Sequence, residues 1–342
     1  MDYPQRSATK TPLLRLKLDG PDASGFTALA WIFFAFAVVL FVGSRIWHLT
    51  DFSLWTDEIF TVKTVRLPCC EMFGTLIRDE AQAPVFSILL RGWVAIGGES
   101  LLWLKLLPLV AAIATIIPLY LLCRELGLSA RATNVTLLLT AVNGYLIHYA
   151  QEVRMYSLLV LFTVISLWLF ARFVNDLTGA RHHLVFVFIC NLLLIYTHYF
   201  GFLVVGVECL SLLFLDRRKW WRFLLSVAVL VLCFSPWAYL VSRAAMMKQG
   251  PPNVQGWLGP PSLSSVVVYL GTLSGPLDFR RSTSLRLLLF GGPVLLWVFH
   301  SMRRTRVGGQ GQSGVLWWLL LCLCVPLALA YAVSTLGPKS VW

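Results

Sequence analysis

The chain has 342 residues, of which 58% are hydrophobic and only 13% charged, with a net charge of +12. A soluble domain carries about a quarter charged residues, so this composition excludes an ordinary soluble domain and describes an integral membrane protein. No basic stripe with interleaved aromatics occurs in any polar segment, which argues against nucleic acid as a partner.

In chain order, residues 1–25 form a polar, basic tail (Arg6, Lys10, Arg15, Lys17) expected in the cytoplasm. The first apolar run has no small-residue cleavage site, so it is expected to span the membrane and not to serve as a signal peptide. A bilayer core needs about 20 apolar residues per helix. Spans are expected at 26–46, 101–123, 131–149, 156–174, 183–198, 200–215, 222–241, 284–300 and 315–335. The segment 84–97 is apolar but short, opens on Pro84 and carries Arg91, which predicts an amphipathic helix lying in the interface. The expected fold is all-α and integral to the membrane, with about nine transmembrane helices plus interfacial helices in the first extracytoplasmic loop. Of the eight Cys, Cys190, Cys209, Cys233, Cys322 and Cys324 fall inside spans, so no disulfide framework is expected.

Charge sets the orientation. With the N-terminus inside, the inner turns hold Arg124/Arg131, Arg172/Arg181, Arg217/Arg218/Lys219/Arg222 and Arg303/Arg304/Arg306. The short outer turns hold one basic residue, Arg154, and then none around His198. This is the positive-inside pattern. It places the long loops 47–100 and 242–283 outside, and long ordered loops are usually functional.

Two polar clusters face that side. Leu54-Trp55-Thr56-Asp57-Glu58 puts adjacent carboxylates just past the first span, where charge is expensive. A carboxylate there can act as general base, and two together can divide the work or hold a metal. Gln151-Glu152-Val153-Arg154-Met155-Tyr156 occupies a later outer turn. The planar fork of Arg grips phosphate and Tyr adds a hydroxyl. Glu80 and Gln82 lead into the 84–97 helix, and with Glu152 they are candidates for lining a substrate cavity. His198 lies at a third outer turn, in Tyr196-Thr197-His198-Tyr199-Phe200-Gly201. No second His stands at ligand spacing, so zinc is unsupported. Glu208 falls within a span, where it either bonds a neighbouring helix or serves function.

Taken in order, these pieces resemble the GT-C class of polyprenyl-phosphate-sugar glycosyltransferases. The similarity is to the bacterial branch related to dolichyl-phosphate-mannose protein mannosyltransferases and to aminoarabinose transferases. It covers roughly residues 25–240. It rests on Leu54-Trp55-Thr56-Asp57-Glu58, the proline-led helix ending in Arg91-Gly92-Trp93, Tyr120 through Gly127, Gln151 through Leu158, and Tyr196 through Gly201. Gln82-Ala83-Pro84 stands where the family often has His-Pro-Pro.

The resemblance implies an all-α fold with a lipid-donor cavity opening outward. Residues 26–241, with loop 47–100, would be the catalytic module; 242–342 would be an outer loop and two further spans, shorter than in relatives. Asp57 would be the catalytic carboxylate with Glu58 adjacent. Arg154 and Tyr156, with His198, would bind the donor phosphate. The expected partners are a polyprenyl-phosphate-linked sugar, membrane lipid and an extracytoplasmic acceptor, at the cytoplasmic membrane of a bacterium. No cofactor is implied, and a divalent metal stays open. Two alternatives stand beside this: a transporter or flippase of polyprenyl-linked material, and a truncated non-catalytic paralogue.

Overall fold

In the computed structural model the described residues are 13–14, 27–79, 82–178, 181–247 and 310–336. They form thirteen α-helices and no strand. Four stretches are long and apolar enough to cross a membrane: Ala28–Ile46, Leu101–Glu125, Tyr156–Asn175 and Arg217–Met247. The chain is therefore helical with the character of a membrane protein. Glu80, the expected span 284–300, most of loop 242–283 and the cluster Arg303/Arg304/Arg306 lie outside the described residues.

Helix α1 (Ala28–Ile46) begins where the Thr27 hydroxyl accepts the Ala30 amide, satisfying an orphan donor of the first turn. It turns much of its apolar surface outward, with Val39 69% exposed. In water such a surface would be an aggregation liability, whereas lipid accepts it. The second of these stretches is made of two successive helices, α5 (Leu101–Ala114) and α6 (Ile116–Glu125). Pro118 has no amide to bond the Ala114 carbonyl, which ends α5 there. Helix α6 closes on a left-handed residue, Gly127 at φ 69°. The Leu128 amide reaches the Cys123 carbonyl (3.0 Å) and the Gly127 amide the Arg124 carbonyl (3.1 Å), a Schellman closure.

The single helix expected over 131–149 is divided into α7 (Ala130–Ala141) and α8 (Gly144–Ala150). The Asn143 side chain caps the second piece by accepting the Leu146 amide at 3.0 Å. Twelve residues of α7 reach only about 18 Å, and α7 packs along α1.

The segment 47–100, expected as an outer loop, is more structured than its polarity suggests. Besides α4 (Pro84–Gly97), whose bounds match the expected 84–97, it contains α2 (Thr56–Arg66) and α3 (Cys69–Asp79). Arg91 on α4 donates to the carbonyls of Val65 and Leu67, tying α4 to the end of α2. Trp93 and Trp103 stack at 4.5 Å and each indole N–H donates to the other's carbonyl. A Cβ on Gly97 would sit 2.1 Å from the Trp103 ring, so this turn tolerates only glycine.

Helices α9 (Tyr156–Asn175), α10 (Arg181–Thr197), α11 (Gly201–Leu215) and α12 (Arg217–Met247) form the bundle beneath. Met72 and Leu76 of α3 and Phe86 and Leu90 of α4 join its core with Met155, Ile195 and Phe234. At the other end α13 (Gln310–Leu336) adds Val315 and Trp318 to a second core with Phe170, Leu212 and Phe223. Inside, the Ser166 hydroxyl donates to Glu208 Oε1 (2.6 Å) and Asn191 Nδ2 donates to Oε2 (2.7 Å). All three residues are buried, so Glu208 links α9, α10 and α11.

Candidate functional site

Asp57 and Glu58 stand in the first turn of α2, where carboxylates meet the positive end of the helix dipole. Glu58 stands three positions after the N-cap Trp55, and its Oε2 accepts the Trp55 amide at 3.0 Å. Its other oxygen accepts the Val153 amide at 2.6 Å. Glu58 is only 3% exposed. Both oxygens being occupied by backbone donors, Glu58 joins the start of α2 to the turn before α9.

That join presents Arg154 to Asp57. Arg154 Nη2 lies 3.6 Å from Asp57 Oδ2, and Nη1 donates to the Asp57 carbonyl (3.4 Å) and the Thr61 hydroxyl (3.5 Å). Arg154 is 7% exposed, while the Asp57 side chain is 46% exposed. Arg154 Nε is buried with no hydrogen-bond partner. A buried guanidinium with an idle N–H beside a half-exposed carboxylate is an unfinished arrangement, since buried charge is stable only when paired and fully hydrogen-bonded.

Aromatic rings extend the site. The Arg154 guanidinium sits 5.9 Å from the Tyr156 ring centroid. Tyr156 lies 4.4 Å from Tyr149 and 5.8 Å from His198. His198, in the turn between α10 and α11, accepts the Phe200 amide on Nδ1 at 3.0 Å. The neutral ring then carries its proton on Nε2 and offers a donor there. Burial, aided by the charge of Arg154, pushes the His198 pKa down to about 4.

Glu152 is buried and pairs through Oε1 with His148 Nε2 at 2.9 Å, while its Oε2 has no partner. Gln82 is buried ahead of α4. Asp57, Glu58, Glu152, Arg154, Tyr156 and His198 thus come together, although they span about 140 positions.

Several neighbours had no role assigned from the sequence. Thr61 stands one turn after Asp57 and donates to its carbonyl (2.8 Å). His148 sits four residues before Glu152. Gln151 Nε2 donates to the carbonyls of Arg45 (3.0 Å) and Trp47 (2.7 Å), fixing the turn to the end of α1. Arg45 is itself buried, held by the carbonyls of Phe41 (3.0 Å) and Thr140 (3.0 Å) and by the Phe41 ring. A cation inside an apolar run was the available signal for it. Among the described residues no group of three or more His, Cys, Asp or Glu converges as metal ligands.

No family model matches the chain, and no curated protein or solved structure matches it either.

Proposed function

We propose that this protein is a membrane glycosyltransferase. It moves a sugar from a polyprenyl-phosphate carrier to an acceptor outside the cytoplasmic membrane of a bacterium, with inversion at the anomeric carbon. The full chain has about nine spans, the N-terminus inside and the site facing outward. The observation that carries this is the Asp57–Arg154 pair, 3.6 Å apart and drawn from segments almost a hundred residues distant. The resemblance of the surrounding sequence pieces to the GT-C class adds the donor chemistry.

In this scheme Asp57, the exposed partner, takes the proton of the acceptor hydroxyl as that oxygen bonds to the anomeric carbon. The bond from that carbon to the phosphate oxygen breaks, and the electron pair leaves with the polyprenyl phosphate. Arg154, through its idle Nε–H and its Nη groups, stabilises the departing charge. Tyr156 and the neutral Nε2–H of His198 complete the donors around the phosphate. Glu58 is a positioning residue, holding base and cation in register.

The test is a role split between two variants. Asp57→Asn keeps the side-chain shape but cannot take a proton, so transfer should fall by about 10²–10⁴-fold with donor-lipid binding retained. Arg154→Ala should weaken donor binding and slow transfer together, and Arg154→Lys should rescue in part because an ammonium lacks the planar fork. Binding and transfer are measured on purified protein in lipid. Unchanged transfer in Asp57→Asn overturns the assignment. Wild type that binds the donor and transfers to no acceptor favours the non-catalytic reading.

A further inference from the structure

A polar pocket lies at the end of the bundle opposite the Asp57–Arg154 pair. Arg172 lies sixteen positions after Tyr156 along α9, about 24 Å of helix. The pocket has a volume of about 350 Å³ and is lined by Leu121, Arg124, Glu125, Trp168 and Arg172. Arg124 is in the last turn of α6 and Arg172 in the last turn of α9, and both are exposed. One turn further into the bundle, Leu121 and Trp168 stand on the same faces, with the Arg172 guanidinium 5.5 Å from the Trp168 ring centroid.

Two neighbouring charges, Lys219 and Glu125, are already engaged. Lys219 donates to the carbonyls of Phe173 (2.9 Å), Val174 (2.9 Å) and Asp176 (2.6 Å), so the negative end of α9 has its cation without Arg172. The Glu125 carboxylate accepts from Asn175 Nδ2 at 2.9 Å, and the Asn175 oxygen accepts the Leu14 amide at 2.8 Å. Among the described residues neither Arg124 nor Arg172 pairs with a carboxylate. Two guanidinium groups thus face one pocket, at the level where these two membrane-spanning stretches end, above an aliphatic and an aromatic side chain.

We propose that this pocket binds the phosphate of an anionic membrane lipid, gripped between Arg124 and Arg172 with its glycerol and first acyl carbons against Leu121 and Trp168. Paired guanidiniums match phosphate geometry, and basic pockets between spans are a general means of holding anionic headgroups. The site is independent of the proposed transferase activity.

The full-length protein is placed in bilayer discs of equal phosphatidylglycerol and phosphatidylcholine, and the lipids that stay bound on release are counted by native mass spectrometry. Wild type should retain phosphatidylglycerol preferentially. Arg124→Gln or Arg172→Gln should each reduce that preference roughly fivefold, and the pair up to about thirtyfold. The paired Lys variant should keep part of it. Arg217→Gln with Arg218→Gln, charges at the same end but outside the pocket, should leave it unchanged. No preference in wild type overturns the proposal, and so does an equal loss in the Arg217/Arg218 variant, which would mean diffuse surface charge. Displacement of the lipid by low millimolar inorganic phosphate would make this a soluble-anion site and overturn the lipid assignment. If the Gln pair elutes aggregated, the Lys pair and the wild-type phosphate competition decide.

Discussion

Glu58 accepts the Val153 amide at 2.6 Å across 95 positions of chain. This one hydrogen bond brings the start of α2 against the turn before α9, and the contact of Asp57 with Arg154 follows from it.

Removing that acceptor should loosen the site. Glu58→Ala leaves the buried Val153 amide unsatisfied, at a cost of about 1–3 kcal/mol, and should lower the thermal unfolding temperature in detergent. Glu58→Gln keeps one acceptor oxygen and should be milder. A Glu58→Ala protein as stable as wild type would show that the join does not hold the turn.

The orientation can be read with native thiols. All eight cysteines are free, and Cys69 and Cys70 are exposed at the start of α3. Cys233 and Cys324 are exposed too, but they sit on apolar helices, whose lipid-facing surface a water-soluble reagent does not reach. A membrane-impermeant maleimide should therefore label wild type on intact spheroplasts. Cys69→Ser with Cys70→Ser should abolish that labelling. In the same background Lys219→Cys should label only after permeabilisation. The reverse pattern would invert the proposed topology.

His198 sets a pH dependence with a definite sign. Its folded pKa, about 4, lies below the ordinary 6.5, so the unfolded chain binds more protons between these values. The stabilising contribution is complete above pH 6.5 and is lost as pH falls toward 4. The stability difference between wild type and His198→Gln should be flat above pH 6.5 and shrink below it. Unfolding midpoints across pH 4–8 test this; a difference that grows on acidification would mean that His198 is charged in the native protein.

Glu208 distinguishes a structural clamp from a transport group. With Ser166 and Asn191 it forms a closed, buried network. Asn191→Leu and Glu208→Leu should each destabilise, and the double variant should lose less than their sum, with a coupling near 1 kcal/mol. Detergent unfolding of the four proteins completes the cycle. Additive losses would mean that the residues do not share one network.

Much of this molecule was legible without coordinates. Hydropathy is a property of a local window of about 20 residues, so α1, α9, α10 and α11 were placed to within two or three residues at either end. Pro84 marked the start of α4 because its missing amide is harmless in a first helical turn. The residue types of the candidate site were legible as well, since charge beside apolar runs is conspicuous. What the sequence left open depends on partners remote along the chain. Asp57 and Glu58 are adjacent and of one chemistry, yet one is half exposed and the other buried, because only Glu58 reaches the Val153 amide. The divided helix at Asn143 turns on a side-chain cap that competes with a continuous apolar run. Arg45 is tolerated inside α1 because carbonyls from the end of α7 meet it. Local hydropathy determined which segments are long and apolar enough to cross a membrane; hydrogen bonds between segments far apart decided which polar groups face one another.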